Sequence, residues 1–242
     1  MNEVFKVFDR VIIVNRRFPN VTFNRDYDLV KFLKLSTDSF FVQLKNRDAE
    51  GRKIFLEKVA KRDTEEFDEF ESIKARASAI ALAMFEEETQ IAGTCHIYDF
   101  SDSSLKHLYS VSSVLQIVKI MHACAFFRIP TVYFVNLPSF ARVFLDTVLS
   151  VAKEKLKQRI FVVKNIEDLK NYIDPDLLPK EYGGTNNFED VVEDFSELHK
   201  KYGKYIKSFC DVKIDWSKVS EDEVWNDSED KNIGSFRRLE LD

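Results

Sequence analysis

Glycine and proline are scarce in this chain, with six of the first and five of the second among 242 residues. So few breakers argue against a fibrous or low-complexity chain. No Gly-x-Gly-x-x-Gly turn, Gly-x-x-x-x-Gly-Lys phosphate loop or Gly-x-Ser-x-Gly elbow occurs, which removes the commonest signatures of nucleotide binding and serine hydrolysis. Cysteine is also rare: Cys95, Cys124 and Cys210 are odd in number, far apart and set among apolar residues. That pattern excludes a disulfide framework and a zinc spacing and suits buried thiols of a reducing compartment. The histidines, His96, His107, His122 and His199, stand singly with no His-x-x-x-His pair, so each reads as a packed or surface residue rather than a ligand. The net charge of −5 offers no electrostatic footprint for nucleic acid. Met1 to Arg10 lacks the apolar core of a secretion signal, and the longest apolar region, Val111 to Pro138, is interrupted by Lys119 and Arg128. A soluble cytosolic protein without a cofactor is expected.

What the chain has in quantity is apolar mass: 45% hydrophobic residues and 22 phenylalanines, enough for one large core. Hydrophobic spacing predicts helices over Glu3 to Arg17, Phe67 to Glu88, Val111 to Phe127, Pro138 to Lys157 and Phe188 to Phe209. Strands are predicted at Phe40 to Leu44, Ile54 to Val59, Thr94 to Phe100, Thr131 to Asn136 and Arg159 to Val163, the first two joined by a hairpin through residues 46–52. The rest up to Phe40 reads as a linker. Strands alternating with helices imply an α/β fold with a mostly parallel sheet. The tail from Asp211 is dense in charge but carries Trp216, Trp225 and Phe236, and reads as an arm packed back on the domain. Carboxylates such as Glu65, Glu66, Asp68, Glu69 and Glu86 to Glu88 read as solvated helix ends and outer faces, and no catalytic constellation is recognisable.

The helix after Pro138 is unusual because Phe140, Ala141, Val143, Phe144, Leu145, Val148 and Leu149 leave only a thin polar line of Arg142, Asp146 and Ser150. Two readings stay open: a core helix buried all round, or a lid with protein on one side and lipid on the other. Lys153, Lys155, Lys157 and Arg159 follow it, either as cations favoured at a helix C-terminus or as a patch for an anionic membrane.

The segment Leu178-Pro179-Lys180-Glu181-Tyr182-Gly183-Gly184 places two glycines at a proline-bounded corner. As a motif it resembles the Leu-Pro-x-Glu-Tyr-Gly-Gly signature of the CRAL-TRIO lipid-binding family, which includes retinaldehyde-binding and α-tocopherol transfer proteins. The likeness extends to Asp48-Ala49-Glu50-Gly51-Arg52, to Gln90-Ile91-Ala92-Gly93 with Ile97-Tyr98-Asp99, to the Pro130 to Pro138 strand, and to Glu154 through Ile160. The ending Gly234 to Asp242 is similar to that of insect members.

The resemblance implies an αβα sandwich with a five-stranded, mostly parallel sheet, an apolar pocket and a gate helix after Pro138. By it, residues 1–28 are a remnant of an N-terminal helical domain that is otherwise missing, 29–210 the lipid-binding domain and 211–242 the arm. Matching positions suggest a pocket lined by Ile73, Ile80, Thr94, His96, Tyr98, Ile117, Ile120, Met121, Val132, Phe134, Phe140, Phe144 and Val148. Arg128, Lys155 and Arg159 match basic residues that bind phosphatidylinositol bisphosphate in the tocopherol-transfer relative. Two departures stand out: Pro130 replaces a further basic residue, and the turn Phe100-Ser101-Asp102-Ser103 lacks the usual glycine. The expected partners are one hydrophobic small molecule and, transiently, a phosphoinositide-containing membrane, with no nucleic acid and no catalysis.

Overall fold

The computed structural model describes residues 28–38, 41–62, 64–65, 68–123, 128–150, 152, 154–211, 215 and 217. The helix expected at Glu3 to Arg17 and nearly all of the C-terminal arm, with both tryptophans, lie outside them.

Five strands, β1 (Val42–Arg47), β2 (Lys53–Lys58), β3 (Thr94–Asp99), β4 (Thr131–Val135) and β5 (Ile160–Val163), lie side by side in chain order. The β1–β2 pair is antiparallel and the other three pairs are parallel, which is the α/β sheet that the alternating pattern predicted. The hairpin forms around Asp48, whose carboxylate accepts the Glu50 and Arg52 amides at 3.0 and 2.9 Å and the Arg52 Nε at 2.5 Å. Arg52 in turn donates to the Thr131 hydroxyl at 2.5 Å, tying the hairpin to the start of β4.

Several helices differ from their expected bounds. The linker before β1 contains α1 (Leu29–Asp38), started by Asp28 accepting the Val30 and Lys31 amides at 3.0 Å. Its Leu35 is buried among Ala75, Leu82 and Ile206. Helix α2 (Glu69–Ala83) opens with a capping box between Asp68 and Glu71, but it stops short of Glu88. The Phe85 and Glu86 amides tighten onto the Leu82 and Ala83 carbonyls, and a separate α3 (Glu87–Ala92) follows. Glu86 is not solvated: it is paired with Arg47 and, at 3.1 Å, with Lys53 at the rim of the sheet. Glu69 is likewise engaged, accepting the Ser110 amide at 2.7 Å at the start of α4 (Val111–Ala123). The expected Pro138 to Lys157 helix is two pieces, α5 (Ser139–Ser150) and α6 (Glu154–Lys157). A short α7 (Ile166–Leu169), capped by Asn165, was not foreseen, and α8 (Phe188–Cys210) is the last α-helix among the described residues.

Consecutive parallel strands that are also neighbours need right-handed crossovers, which put α2, α4 and α5 on one face. The first and last are placed there by contacts, Arg76 of α2 with Glu57 of β2 and Ala141 of α5 in the cluster that holds Phe134. The opposite face belongs to the segment after β5. Leu169, Ile173, Leu178, Tyr182, Val191 and Phe195 join the core that holds Cys95, Ile97, Tyr133 and Val135. The double-glycine corner is what permits that packing. Gly183 takes a left-handed φ of 79°, and a Cβ on Gly184 would sit 1.8 Å from the Leu178 carbonyl oxygen. The corner also presents Tyr182, whose buried hydroxyl donates to Asp99 at 3.1 Å at the end of β3. Asp99 further accepts from Ser101 and from Asn136. In the turn between, Asp102 adopts φ 59°, so an aspartate fills a left-handed position of a turn that lacks glycine. The motif's work in this fold is thus structural: it locks the last segment to the carboxyl edge of the sheet.

Candidate functional site

On the crossover face, strand alternation sets Phe55 and Glu57 of β2 beside His96 and Tyr98 of β3, then Val132 and Phe134 of β4. Their rings form a row. Phe41 stacks on Phe55 at 5.3 Å and Phe55 on His96 at 5.2 Å. His96 is 6.1 Å from Tyr98, and Tyr98 stacks on Phe134 at 5.5 Å. The row has two halves. Phe41, Phe55, Thr94 and His96 are buried, whereas Tyr98, Val132 and Phe134 remain partly accessible, although their strand neighbours Ile97 and Val135 are completely covered.

Phe140 of α5 is half-buried and packs into the cluster around Tyr98 and Phe134, while Ile117 of α4 and Phe144 of α5 are also half-buried. Val148 of α5 and Ile73 and Ile80 of α2 are buried, Ile80 within the main core. The side chains of Ile120 and Met121 lie outside the described residues. Helix α5 is not buried all round: Ala141, Leu145 and Val148 face inward, while Val143 is 68% exposed beside the Arg142–Asp146 ion pair. This removes the core-helix reading and leaves a helix with apolar residues on both sides.

Thr94, His96 and Tyr98 share one face as expected, and they bond to one another. His96 Nε2 meets the Thr94 hydroxyl at 2.9 Å and its Nδ1 meets the Tyr98 hydroxyl at 3.4 Å. Burial holds the imidazole neutral, lowering its pKa to about 4 against the pull of Glu57. Burial also raises the Tyr98 phenol. On the opposite face the Cys95 thiol is pushed by burial to about 12, an inert core sulfur.

The largest surprise is a buried charge cluster beside Tyr98. Glu57 is fully buried in β2 and receives Arg62 Nε at 2.5 Å and Arg76 Nε at 2.9 Å, with a further short bond from Arg76 Nη2. Burial alone would raise this carboxyl, but the two guanidinium charges outweigh it and hold the pKa near 2. Arg62 lies 4.3 Å and Arg76 5.6 Å from the centre of the Tyr109 ring. The reading of acidic residues as solvated missed this site. One signal was available: Arg76 stands at helical spacing between Ile73 and Ile80, on an inward face.

Of the basic residues, Arg128 and Arg159 precede β4 and β5 and so share the amino edge of the sheet, where Arg159 Nη1 donates weakly to the Ile129 carbonyl at 3.4 Å. Arg128 reaches back to the Ile91 carbonyl at 2.6 Å. Lys155 is exposed on α6, and Lys157 is paired with Glu154 at 2.7 Å. Among the described residues no three His, Cys, Asp or Glu side chains gather as a metal site, and no helix is long and apolar enough to cross a membrane.

Residues 37–184 match the CRAL/TRIO domain, from the end of α1 to the double glycine. This chain belongs to the CRAL-TRIO family. It carries a lipid-binding domain similar to that of the clavesins: it is 31% identical over 151 residues to clavesin-1 of Xenopus laevis, covering 61% of this chain and 46% of that protein. To human clavesin-2 the identity is 27% over 150 residues, with coverage of 61% and 46%. The match thus spans less than half the length of these relatives. The crystal structure of Sfh5 shares the CRAL-TRIO fold, with a TM-score of 0.54 at 16% identity, over 73% of this chain and 65% of that one.

Proposed function

We propose that this CRAL-TRIO domain encloses one small hydrophobic molecule, of lipid, tocopherol or retinoid type, and exchanges it at a membrane without covalent chemistry. The observation that carries this reading is the partly accessible apolar surface of Tyr98, Val132 and Phe134, with Phe140 of α5 packed in one cluster with Tyr98 and Phe134. Side chains of this kind normally close on one another in a core, and apolar contact is worth about 0.8 kcal/mol per buried methylene, so a long-chain guest gains much by lying between them. Helix α5, apolar on both sides, is the gate. The basic residues Arg128, Lys155 and Arg159 serve as the contact with a phosphoinositide-bearing surface, and the protein acts in the cytoplasm as a peripheral visitor to membranes.

A second reading has its own support. The Phe41, Phe55 and His96 stack fills half of the same face with side chains, as it would in an interaction module that carries nothing. Purification without detergent, followed by organic extraction and mass spectrometry, separates the two. A stoichiometric lipid or isoprenoid is expected. Protein that is empty and takes up no tocopherol, retinoid or phosphatidylinositol supports the module instead.

A further inference from the structure

Among the described residues the charge cluster on the crossover face is unbalanced. Arg62 and Arg76 contribute two positive charges and Glu57 one negative, a net of +1, and the side chains of all three are less than a tenth exposed. A buried net charge is costly unless something neutralises it. The other groups shown to reach the cluster among the described residues supply no compensation: His96 is neutral, and Tyr98 and Tyr109 hold their protons because burial raises both phenols. Arg76 is spent, with Nε and Nη2 on Glu57 and Nη1 on the Ser72 carbonyl at 2.9 Å. Arg62 gives Nε to Glu57 and Nη1 to the His107 carbonyl at 2.8 Å, which leaves Nη2 without a partner among the described residues. Beside it the Tyr109 hydroxyl is buried with no partner in hydrogen-bonding geometry, the nearby Ser72 notwithstanding. Two donors and one excess positive charge therefore lie next to Tyr98, and Tyr98 opens the accessible apolar row through Phe134 toward Phe140.

We propose that the guest of this domain is a long-chain carboxylic acid, its carboxylate held by Arg62 and Tyr109 and its chain laid along Tyr98, Phe134 and Phe140. A planar carboxylate matches the guanidinium fork, and its single charge cancels the surplus, whereas a phosphate dianion would overshoot it. This proposal rests on the carrier reading and narrows it to a ligand class.

The test is equilibrium dialysis of the full chain, at submicromolar concentration and pH 8, with radiolabelled palmitate, hexadecanol and monohexadecyl phosphate. The three share one chain and differ only in the head. An ion pair with the guanidinium in place of its bond to a neutral hydroxyl predicts that palmitate binds about tenfold or more tightly than hexadecanol. Arg62→Gln leaves the Glu57–Arg76 pair neutral, so its palmitate preference should collapse to within about twofold while hexadecanol binding stays. Glu57→Gln raises the surplus to two charges and should shift preference toward the phosphate. Circular dichroism of each variant checks folding, and the selectivity ratio is a readout that a merely structural role of Arg62 would not move. Equal binding of acid and alcohol by the unaltered protein, or a preference that survives Arg62→Gln, overturns the proposal and leaves the carrier standing. Binding of none of the three overturns the proposal as well, and the carrier is then decided by the extraction and by uptake of tocopherol, retinoid and phosphatidylinositol.

Discussion

On one side of the sheet Cys95, Ile97 and Val135 are completely buried under the segment after β5, whereas on the other Tyr98, Val132 and Phe134 keep partial access beneath α4 and α5. The same strands thus serve two ends. One face is closed by the double-glycine corner and Tyr182, and the other mixes aromatic rings with a buried ion cluster. A face built only for stability would not leave phenylalanine half-covered or bury three charges where apolar packing is cheaper. On the proposed reading, stability is lodged on the closed face and binding on the open one.

That division can be broken most strongly by truncation on each side. Ile97→Ala, on the closed face, should cost about 2 to 5 kcal/mol by removing a buried side chain and leaving a cavity. Its folded fraction should still bind ligand normally. Phe134→Ala should cost less, roughly 1 to 3 kcal/mol, because the ring is already partly accessible, yet it should remove most of the ligand recovered per folded molecule. Urea denaturation paired with extraction measures both quantities. Equal loss of ligand in the two variants, at matched stability, would erase the distinction between the faces.

Acid sharpens the same comparison through one histidine on each side. Burial lowers both His96, on the open face, and His199, on α8, to about 4. His199 Nδ1 bonds the Phe195 carbonyl at 3.3 Å, and its Nε2 is buried without a partner. Both imidazoles bind their proton more readily once unfolded, at the ordinary pKa of about 6.5. Stability is therefore whole above pH 6.5 and falls as pH drops toward 4, by up to about 1.4 kcal/mol per pH unit for each histidine. Glu57, held near 2, adds a further loss below its ordinary carboxylate range. Urea midpoints between pH 7.5 and 4.5 should fall steeply in the unaltered protein and about half as steeply in His199→Gln. A slope unchanged by that substitution would mean that the burial of this ring does not set the acid limit.

The sheet was legible from sequence because five short apolar runs, the first two joined by a hairpin and the rest separated by helical spacing, leave few arrangements open, and each run appears as a strand of the mostly parallel sheet. The corner was legible because Gly183 and Gly184 meet a requirement, left-handed φ at one and no room for a Cβ at the other, that other residues do not satisfy. Helix ends were less so. Glu86 and Glu69 looked like outer-face carboxylates, yet partners far along the chain, Arg47 and Ser110, draw them in. No local pattern records such long-range pairs. The ion cluster was hidden for the same reason, since Glu57, Arg62 and Arg76 come together only when α2 folds back over β2.

The smallest effect on stability, and a separate test of the open face, concerns its amino edge. Lys155 is exposed, and the only hydrogen bond of the Arg159 side chain among the described residues is the 3.4 Å contact to Ile129. Removing both with Lys155→Ala and Arg159→Ala should change stability by about 0.5 kcal/mol or less. A basic side chain beside an anionic membrane is worth about 1 kcal/mol, so the pair should weaken binding to phosphoinositide vesicles by roughly thirtyfold in low salt. Screening should shrink that difference toward nothing near 0.5 M salt, where the Debye length is only about 4 Å. Ligand recovered from the double variant should match that of the unaltered protein, because neither residue touches the aromatic row. Vesicle binding that is undiminished in low salt would detach this edge from membranes altogether, and the gate would then have to meet its membrane through the exposed Val143 side of α5.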